Sequence, residues 1–371
     1  MSWKSFSATA AAFAALTFAS APAAAQAPVY YGLLRSRDLT PFGFLRLDMR
    51  PAYAVALEPG SFAVEVELDF QNTWALTPQV ERYLVSLESE DRRVLGPADV
   101  AAIQALPGEN YLVDMESAQL DFTLHYKFTE TLTGYLTASA VSYHGGAMDG
   151  LIEEFHDVFG FSSFGRPAAS QNDVNVIYDL NAMQLAFFDA PTDGGFTDPV
   201  VGLRWSGLPM SGKWQVTLEA AAKIAVDGQR DFLSTGRSDY GVQASFQRFN
   251  DHHAWYLDVA AVKYSGAGGP VPQESRIVPT VILGWERVLS DNTNLNLQAY
   301  ASESVYTHET TDLDELLERK YQLSLGLRHR IRNLLLSFAV TENIQNFSNT
   351  PDIGFHLGLA YAPRPQVRGV R

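Results

Sequence analysis

Cysteine is absent from the 371 residues. A disulfide framework is therefore excluded, and so is a lipid anchor on an N-terminal cysteine. Runs of 18 or more apolar residues are missing after the N-terminal region, which excludes membrane-spanning helices. Bases are few, since 27 Lys and Arg stand against 42 Asp and Glu, a formal net charge of −15. Such acidity argues against nucleic acid as a partner.

The N-terminus is typical of a secretory signal peptide. Lys4 precedes an Ala-rich apolar run, and Ala23 and Ala25 have the spacing that signal peptidase requires. The run is interrupted by Ser and Thr and is too short to span a bilayer. We therefore predict a signal peptide at residues 1–25 and an exported mature chain that begins near Gln26.

Apolar and polar residues alternate in segments of about ten residues between Phe62 and Tyr361, a pattern typical of transmembrane strands. In FAVEVELDFQNTW, for example, Glu65, Glu67 and Asp69 share one face of a strand, and apolar residues occupy the other. Twelve strands are predicted, at 62–74, 118–129, 133–144, 199–207, 213–226, 239–249, 253–265, 276–288, 293–306, 319–330, 333–344 and 353–362.

Connections between the predicted strands are alternately short and long. The short ones include TETL, NDHH and SDNT, and the long ones include 75–117 and 145–198. In outer-membrane barrels short turns lie in the periplasm and long loops outside. We therefore predict an all-β fold, a transmembrane antiparallel up-and-down β-barrel of about 12 strands at 62–362, in the outer membrane of a Gram-negative bacterium. A soluble β-sandwich or exported solenoid also alternates, but the long strands and this rhythm disfavour both.

Two flanking segments differ from the barrel pattern. Residues 26–61 contain Pro28, Pro41, Pro51 and Pro59, which fit poorly in a closed sheet, yet GFLRLDMRPAYAVAL is too apolar for a free tail. This segment is predicted to be an N-terminal plug inside the barrel, with a periplasmic segment as the alternative. Residues 363–371 are predicted to form a periplasmic tail.

The polar faces of the strands predict the lining of the lumen. Charges of both signs fall there, so the lumen is predicted to be either a selective pore or an interior closed by salt bridges. The acids of the first strand are expected to pair with bases of other strands. Trp74, at the end of that strand, is expected at the outer membrane interface. The predicted lumen-lining residues are Glu65, Glu67, Asp69, Asp121, Lys127, Arg204, Glu219, Lys223, Asp258, Glu286, Lys320, Arg328 and Arg330.

The stretch YHGGAMDGLIEEFHDVFGF predicts a short helix over residues 149–159. Helical spacing places Asp149, Glu153 and His156 on one face, where they form a candidate divalent-cation site in the 145–160 loop. Helix capping with solvated charge is the alternative reading of the same residues. The opposite, apolar face requires cover from the barrel mouth or from the outer leaflet. No other cofactor is predicted.

The same stretch carries a resemblance to a known family. HGGAMDGLIEEFHDVFGFSSFGR, together with LDFQNTW and ERYLVSLESEDRR, resembles an uncharacterised proteobacterial family of outer-membrane β-barrel proteins, a domain of unknown function. The resemblance covers most of the mature chain and is densest from Phe62 to Arg166. It implies location and architecture, without an activity, ligand or catalytic residue.

Passage of small solutes through a channel or transporter is the predicted function. A lipid-modifying enzyme is one alternative, for which Ser142 and His144 share one face of a strand and Glu342 supplies a carboxylate. A structural or surface-binding barrel without transport is the other. The expected partners are outer-membrane lipid and lipopolysaccharide, with the barrel-assembly machinery during insertion. The long loops are acidic and would attract cations.

Overall fold

The computed structural model describes residues 29–37, 45–52, 57–88, 91–160, 162–210, 214–226, 228–267, 273–345 and 349–361. The predicted signal peptide at 1–25, the predicted tail at 363–371 and parts of segment 26–61 lie outside these residues. Within the described ranges, none of the helices is both long and apolar enough to cross a membrane.

Strands account for most of the described chain. They are β1 (Phe62–Leu76), β2 (Asn110–Lys127), β3 (Leu132–His144), β4 (Asn175–Leu180), β5 (Met183–Phe187), β6 (Gly195–Phe196), β7 (Val200–Pro209), β8 (Trp214–Lys223), β9 (Gln229–Arg230), β10 (Ser234–Thr235), β11 (Asp239–Phe249), β12 (His253–Ala267), β13 (Gln273–Ser290), β14 (Thr293–Ser302), β15 (Lys320–Ile331), β16 (Leu334–Gln345) and β17 (Ile353–Tyr361). The helices are α1 (Pro78–Val85), α2 (Pro97–Gln104), α3 (Asp149–Phe159) and α4 (Asp314–Leu317), with a 3-10 turn at Arg166–Ala168.

Twelve of these strands form a closed antiparallel ring. The ring runs β1, β2, β3, β7, β8, β11, β12, β13, β14, β15, β16 and β17. It closes where β17 pairs with β1, from Val64 opposite Tyr361 to Asn72 opposite Ile353. The predicted barrel and its twelve strands are confirmed. Closure leaves no free edge in the ring, so all of its backbone polar groups can pair within the sheet.

Side chains alternate along the ring strands as the sequence pattern predicts. Phe62, Leu120, Leu203, Leu283 and Leu325 face outward and are exposed, whereas the residue that follows each of them is buried. The tight turns close one end of the ring, as where Asn250 N–H donates to the carbonyl of His253 over 2.8 Å. The long loops are therefore all at the other end, which is the extracellular end in a barrel of this type.

Above the exposed band, loops cover the outer wall of β1 and β2. Trp74 faces outward but is only 4% exposed, because it packs with Leu84, Ile103 and Ala168 from α1, α2 and the 3-10 turn. Its indole N–H donates to the carbonyl of Phe164 over 3.0 Å. The expectation that Trp74 lies at the outer membrane interface is therefore wrong. We refer to residues 77–109 and 145–172 as the outer-wall loops.

The strand bounds predicted for β2 and β14 also need correction. β2 begins at Asn110 rather than 118, since its first residues pair with β4 instead of with β3. β14 ends at Ser302 rather than 306. Above the lumen, an apolar cluster fills the mouth with inward residues of β2 and β3, residues of β4, and Tyr306 and Leu316.

Candidate functional site: the barrel lumen

The interior wall of the barrel is charged. Each of the thirteen predicted lumen-lining residues, from Glu65 to Arg330, lies on the inward-facing side of its strand and is buried. Asp239 of β11 adds a further inward carboxylate that the sequence prediction omitted. Because isolated charges in such surroundings are costly, their partners decide what the lumen can do.

Residues 29–37 and 45–52, here called the lumen segment, contact inward-facing side chains of the wall. Its backbone is held by polar side chains of the wall. Tyr31 N–H and Gly32 N–H donate to the two carboxylate oxygens of Glu286, over 2.7 and 3.0 Å. Leu47 N–H donates to Asp239 over 3.1 Å. The wall thus satisfies backbone groups of a segment that belongs to no strand of the ring.

Backbone carbonyls of the lumen segment are bound by bases of the wall. Lys223 donates to the carbonyl of Leu45 over 2.8 Å, and Arg328 donates to that of Leu33 over 3.0 Å. The guanidinium of Arg330 lies over the ring of Tyr31, 5.1 Å from its centroid. Lys223, Arg328 and Arg330 therefore all contact the lumen segment.

Arginines of the lumen segment neutralise the acids of β1 and β2. Arg37 Nε lies 2.6 Å from Asp121 Oδ2, and Arg50 Nη1 lies 2.6 Å from Glu67 Oε2 and 3.0 Å from Asp121 Oδ2. Arg35 Nε is 3.3 Å from Glu65 Oε2. All of these side chains are buried.

The expectation that bases of other strands answer these acids is thus wrong. Arg204 is instead paired with Glu219 over 2.6 Å, and Lys223 with Asp239 over 3.1 Å. Two inward histidines also contact acids of β1. His125 lies 2.8 Å from Glu65, and His356 lies 2.9 Å from Asp69.

Inward glycines give the lumen segment room to dock against the wall. A Cβ on Gly284 would overlap the methyl groups of Leu33 and lie 3.0 Å from its Cγ. A Cβ on Gly241 would lie 2.6 Å from Met49 Sδ. Met49 also packs with Leu47 against small wall residues. The fit between segment and wall therefore depends on shape as well as on charge.

Two small cavities border the arginines of the lumen segment. One lies between Arg37, Arg50, Tyr135 and Glu219, and the other lies on the side of Gln298 and Ser324. Each has a volume of about 10 Å³, which is room for about one water molecule. With the lumen segment in place, neither cavity can hold a solute larger than water.

The residues of the predicted cation site have other partners. Asp149 is bound by Arg166 over 2.7 Å, and Glu153 by Arg92 over 2.6 Å. Across the described ranges, no group of three or more His, Asp or Glu side chains is placed to hold a metal ion. The arrangement of Asp149, Glu153 and His156 thus gives no support to the expected divalent-cation site.

The residues named for the enzymatic alternative lie on the outside of the wall. His144 stacks on the outward ring of Phe70, with centroids 5.3 Å apart, and its Nδ1 is 3.7 Å from Glu116. Among the described contacts, no hydrogen bond joins Ser142 to His144. The arrangement lacks the nucleophile–base contact that a hydrolase of this kind uses.

Sequence reasoning missed the arginines of the lumen segment. Arg35, Arg37, Arg46 and Arg50 recur within one short stretch, between prolines and apolar residues. Such a run of bases beside an acidic barrel was the available signal. Arg166, which joins Asp149 to Asp352 and stacks on Trp74, is not among the predicted site residues either.

A closed ring of twelve antiparallel strands around a charged lumen defines an outer-membrane-type β-barrel. The chain belongs to the family described as a protein of unknown function (DUF3187), whose sequence profile matches residues 75–362. The predicted resemblance is thus confirmed. No curated protein matches the chain.

Solved structures are similar to this chain. The COG4313 outer membrane channel from Pseudomonas putida F1 is similar with a TM-score of 0.50 and 10% identity, over 85% of this chain and 99% of that one. The toluene transporter TbuX of Ralstonia pickettii has a TM-score of 0.43 and 11% identity, over 84% of this chain and 91% of that one. At 10% identity, the likeness to the Pseudomonas putida channel concerns the fold alone.

Proposed function

We propose that the protein is an outer-membrane channel for small solutes and that the lumen segment is its movable plug. One observation carries the proposal: the buried acids of the wall are neutralised by a segment outside the sheet. Arg37 and Arg50 both bind Asp121, so withdrawal of one short segment would release several charges at once. The released groups would then be hydrated by water entering the lumen.

Charge complementarity also supports a reversible contact. Replacing buried ion pairs by packed apolar residues often costs a protein nothing, so a permanently closed barrel has no need of them. Ionic contacts, in contrast, can exchange with water when the segment leaves. The proposal agrees with the description of the similar structure from Pseudomonas putida F1 as an outer membrane channel.

The open lumen would prefer cations. Without the arginines of the lumen segment, inward acids outnumber inward bases on the wall, and an acidic constriction concentrates cations. We therefore propose small polar solutes, with cations favoured over anions. The inward acids are Glu65, Glu67, Asp69, Asp121, Glu219, Asp239, Asp258 and Glu286, and the inward bases are Lys127, Arg204, Lys223, Lys320, Arg328 and Arg330.

A second candidate is a barrel that never conducts. Room for about one water in each cavity beside Arg37 and Arg50 favours this reading. Planar-bilayer recording separates the two candidates. The purified full chain is expected to give brief conductance steps, and deletion of residues 29–52 to give longer ones that are cation-selective under a salt gradient. Silence in both forms, with barrel folding verified by circular dichroism, would exclude a channel.

A further inference from the structure

Helix α3 presents an apolar stripe away from the rest of the protein. Leu151, Phe155, Val158 and Phe159 are 56, 46, 71 and 62% exposed. Their spacing of four, three and one residues places them on one side of the helix. The rings of Phe155 and Phe159 contact each other, with centroids 4.7 Å apart. Contiguous exposed apolar groups of this kind mark an interaction surface.

The opposite side of α3 is fixed to the protein, so the stripe cannot turn inward. At the start of the helix, Asp149 accepts hydrogen bonds from Arg166 and from Asn72 of β1, over 2.7 and 3.1 Å. One turn later, Glu153 pairs with Arg92 over 2.6 Å. Ile152 is buried on this same side. The helix ends at Gly160, whose positive φ of 72° suits a glycine.

Acidic residues form a third side of the helix. Glu154 and Asp157 are exposed and lie between the apolar stripe and the anchored side. The helix therefore has an apolar flank and a charged flank, both open. This is the distribution of a helix that lies in the plane of a membrane interface.

The hydrogen bond between Asn72 and Asp149 shows at what height along the barrel wall α3 lies. Outward positions of β1 are exposed or partly exposed from Phe62 to Phe70, whereas Asn72 and Trp74 are buried under the outer-wall loops. Two residues of a strand span about 7 Å. Since Asp149 bonds Asn72, α3 starts on the outside of the wall, one outward position above Phe70. The neighbouring strand changes in the same way, from exposed Leu120 to fully buried Glu116.

We propose that α3 is an interfacial helix whose apolar stripe inserts into the acyl chains of the outer leaflet. Its surface continues the lipid-facing band of the barrel at the height where that band ends on β1. The helix is about 16 Å long. In this proposal its apolar side chains, rather than buried Trp74, contact the membrane interface. This inference rests on the proposed membrane location and is independent of solute passage.

The absence of cysteine makes a site-directed spin-label experiment direct. Single variants Leu151→Cys, Phe159→Cys and Asp157→Cys are labelled with a nitroxide in the full chain. Each is reconstituted into phosphatidylethanolamine–phosphatidylglycerol vesicles, and the collision rates with oxygen and with a water-soluble nickel complex are measured. Leu325→Cys, at an exposed outward position of β15, provides the lipid reference.

Labels at 151 and 159 are expected to match the reference, with high oxygen and low nickel collision rates. The label at 157 is expected to show the reverse. Equal nickel accessibility at 157 and 159 would overturn the proposal. Spin–spin broadening at 159 that disappears on dilution with unlabelled protein would also overturn it, because a second copy of the chain would then cover the stripe. Neither result depends on conductance, so the channel proposal is tested separately.

Discussion

Arg37 of the lumen segment and Asp121 of β2 are joined by a charge-assisted hydrogen bond of 2.6 Å, with both side chains buried. Arg50 binds the same carboxylate over 3.0 Å. One wall acid thus holds two arginines that are 13 positions apart in the sequence and come from the two described parts of the lumen segment. Charge-assisted bonds of this length are the strong ones in proteins. Asp121 is therefore the central anchor of the plug in our proposal.

Replacing both arginines should favour the open state. In Arg37→Ala/Arg50→Ala, Glu67 and Asp121 would remain buried without these partners, at a cost of about 3–5 kcal/mol while the lumen segment stays in place. Withdrawal of the segment would hydrate both acids. We expect a larger fraction of open time in planar-bilayer recordings than for the parent chain.

Arg319→Ala serves as the matched control for the double variant. Arg319 pairs with Glu303, and its side chain is 65% exposed, so its removal should leave conductance unchanged. Equal open fractions in the double variant and the parent would show that these ion pairs do not hold the channel closed.

Removing Arg166 should loosen the outer-wall loops. The side chain pairs with Asp149 and Asp352 and stacks on Trp74, 4.9 Å from its ring. Arg166→Ala leaves buried Asp149 and partly buried Asp352 without this cation, which should cost about 3–5 kcal/mol of stability. Faster proteolysis within residues 145–172 and a red shift of tryptophan emission are expected.

Arg93→Ala is the comparison for Arg166→Ala. Arg93 pairs with buried Asp99, but its own side chain is 41% exposed, so its removal should destabilise the loops less than removal of buried Arg166. If both variants were cleaved at the rate of the parent chain, Arg166 would not be the residue that fastens the loops.

The stability of the protein around Asp352, which pairs with Arg166 of the outer-wall loops, should fall as the pH rises from about 4 to about 6. Burial raises the pKa of Asp352 from 3.8 to about 6, with Asp149 adding to the rise and Arg166 opposing it. The carboxyl of Asp352 therefore binds its proton more tightly in the folded protein than in the unfolded chain. The stabilisation that the protonated Asp352 carboxyl contributes is fully present below the unfolded pKa of 3.8. It is lost as the pH rises through the folded pKa of about 6, and the loss is on the order of 1–3 kcal/mol.

Urea unfolding in detergent at pH 4, 5, 6 and 7 tests this dependence, with tryptophan fluorescence as the readout. Subtracting the curve of Asp352→Asn removes the contribution of other titrating groups. A difference between parent and variant that does not change with pH would contradict the assignment to Asp352.

The barrel could be predicted because each strand is recognisable from the alternation of its own consecutive residues. Alternation along each strand, as at Glu65, Glu67 and Asp69, reports which face meets lipid and which faces the lumen. The same reasoning placed the charged residues of the wall. It could not choose their partners, because those are set by tertiary packing: Glu67 is bound by Arg50, 17 residues away in a segment without secondary structure.

The outer-wall loops escaped prediction for a related reason. Trp74 occupies a strand position that normally meets the membrane interface, and only the packing of α1 and of Ala168 on it reverses that expectation. For α3, the helix and its apolar face were evident from spacing. The choice between barrel mouth and outer leaflet needed Asn72, which fixes the helix on the outside of the wall.

A disulfide between the lumen segment and the wall tests the central claim most directly. A Cβ on Gly284 would lie 3.0 Å from Leu33 Cγ, and the Sγ of a cysteine at position 33 would take about the place of that Cγ. The two positions therefore suit a disulfide. The parent chain has no cysteine, so reductant cannot act on it through a thiol. We predict that oxidised Leu33→Cys/Gly284→Cys is silent in a planar bilayer and that dithiothreitol restores conductance steps. Equal conductance of the oxidised and reduced forms, with the disulfide verified by mass, would contradict a movable plug.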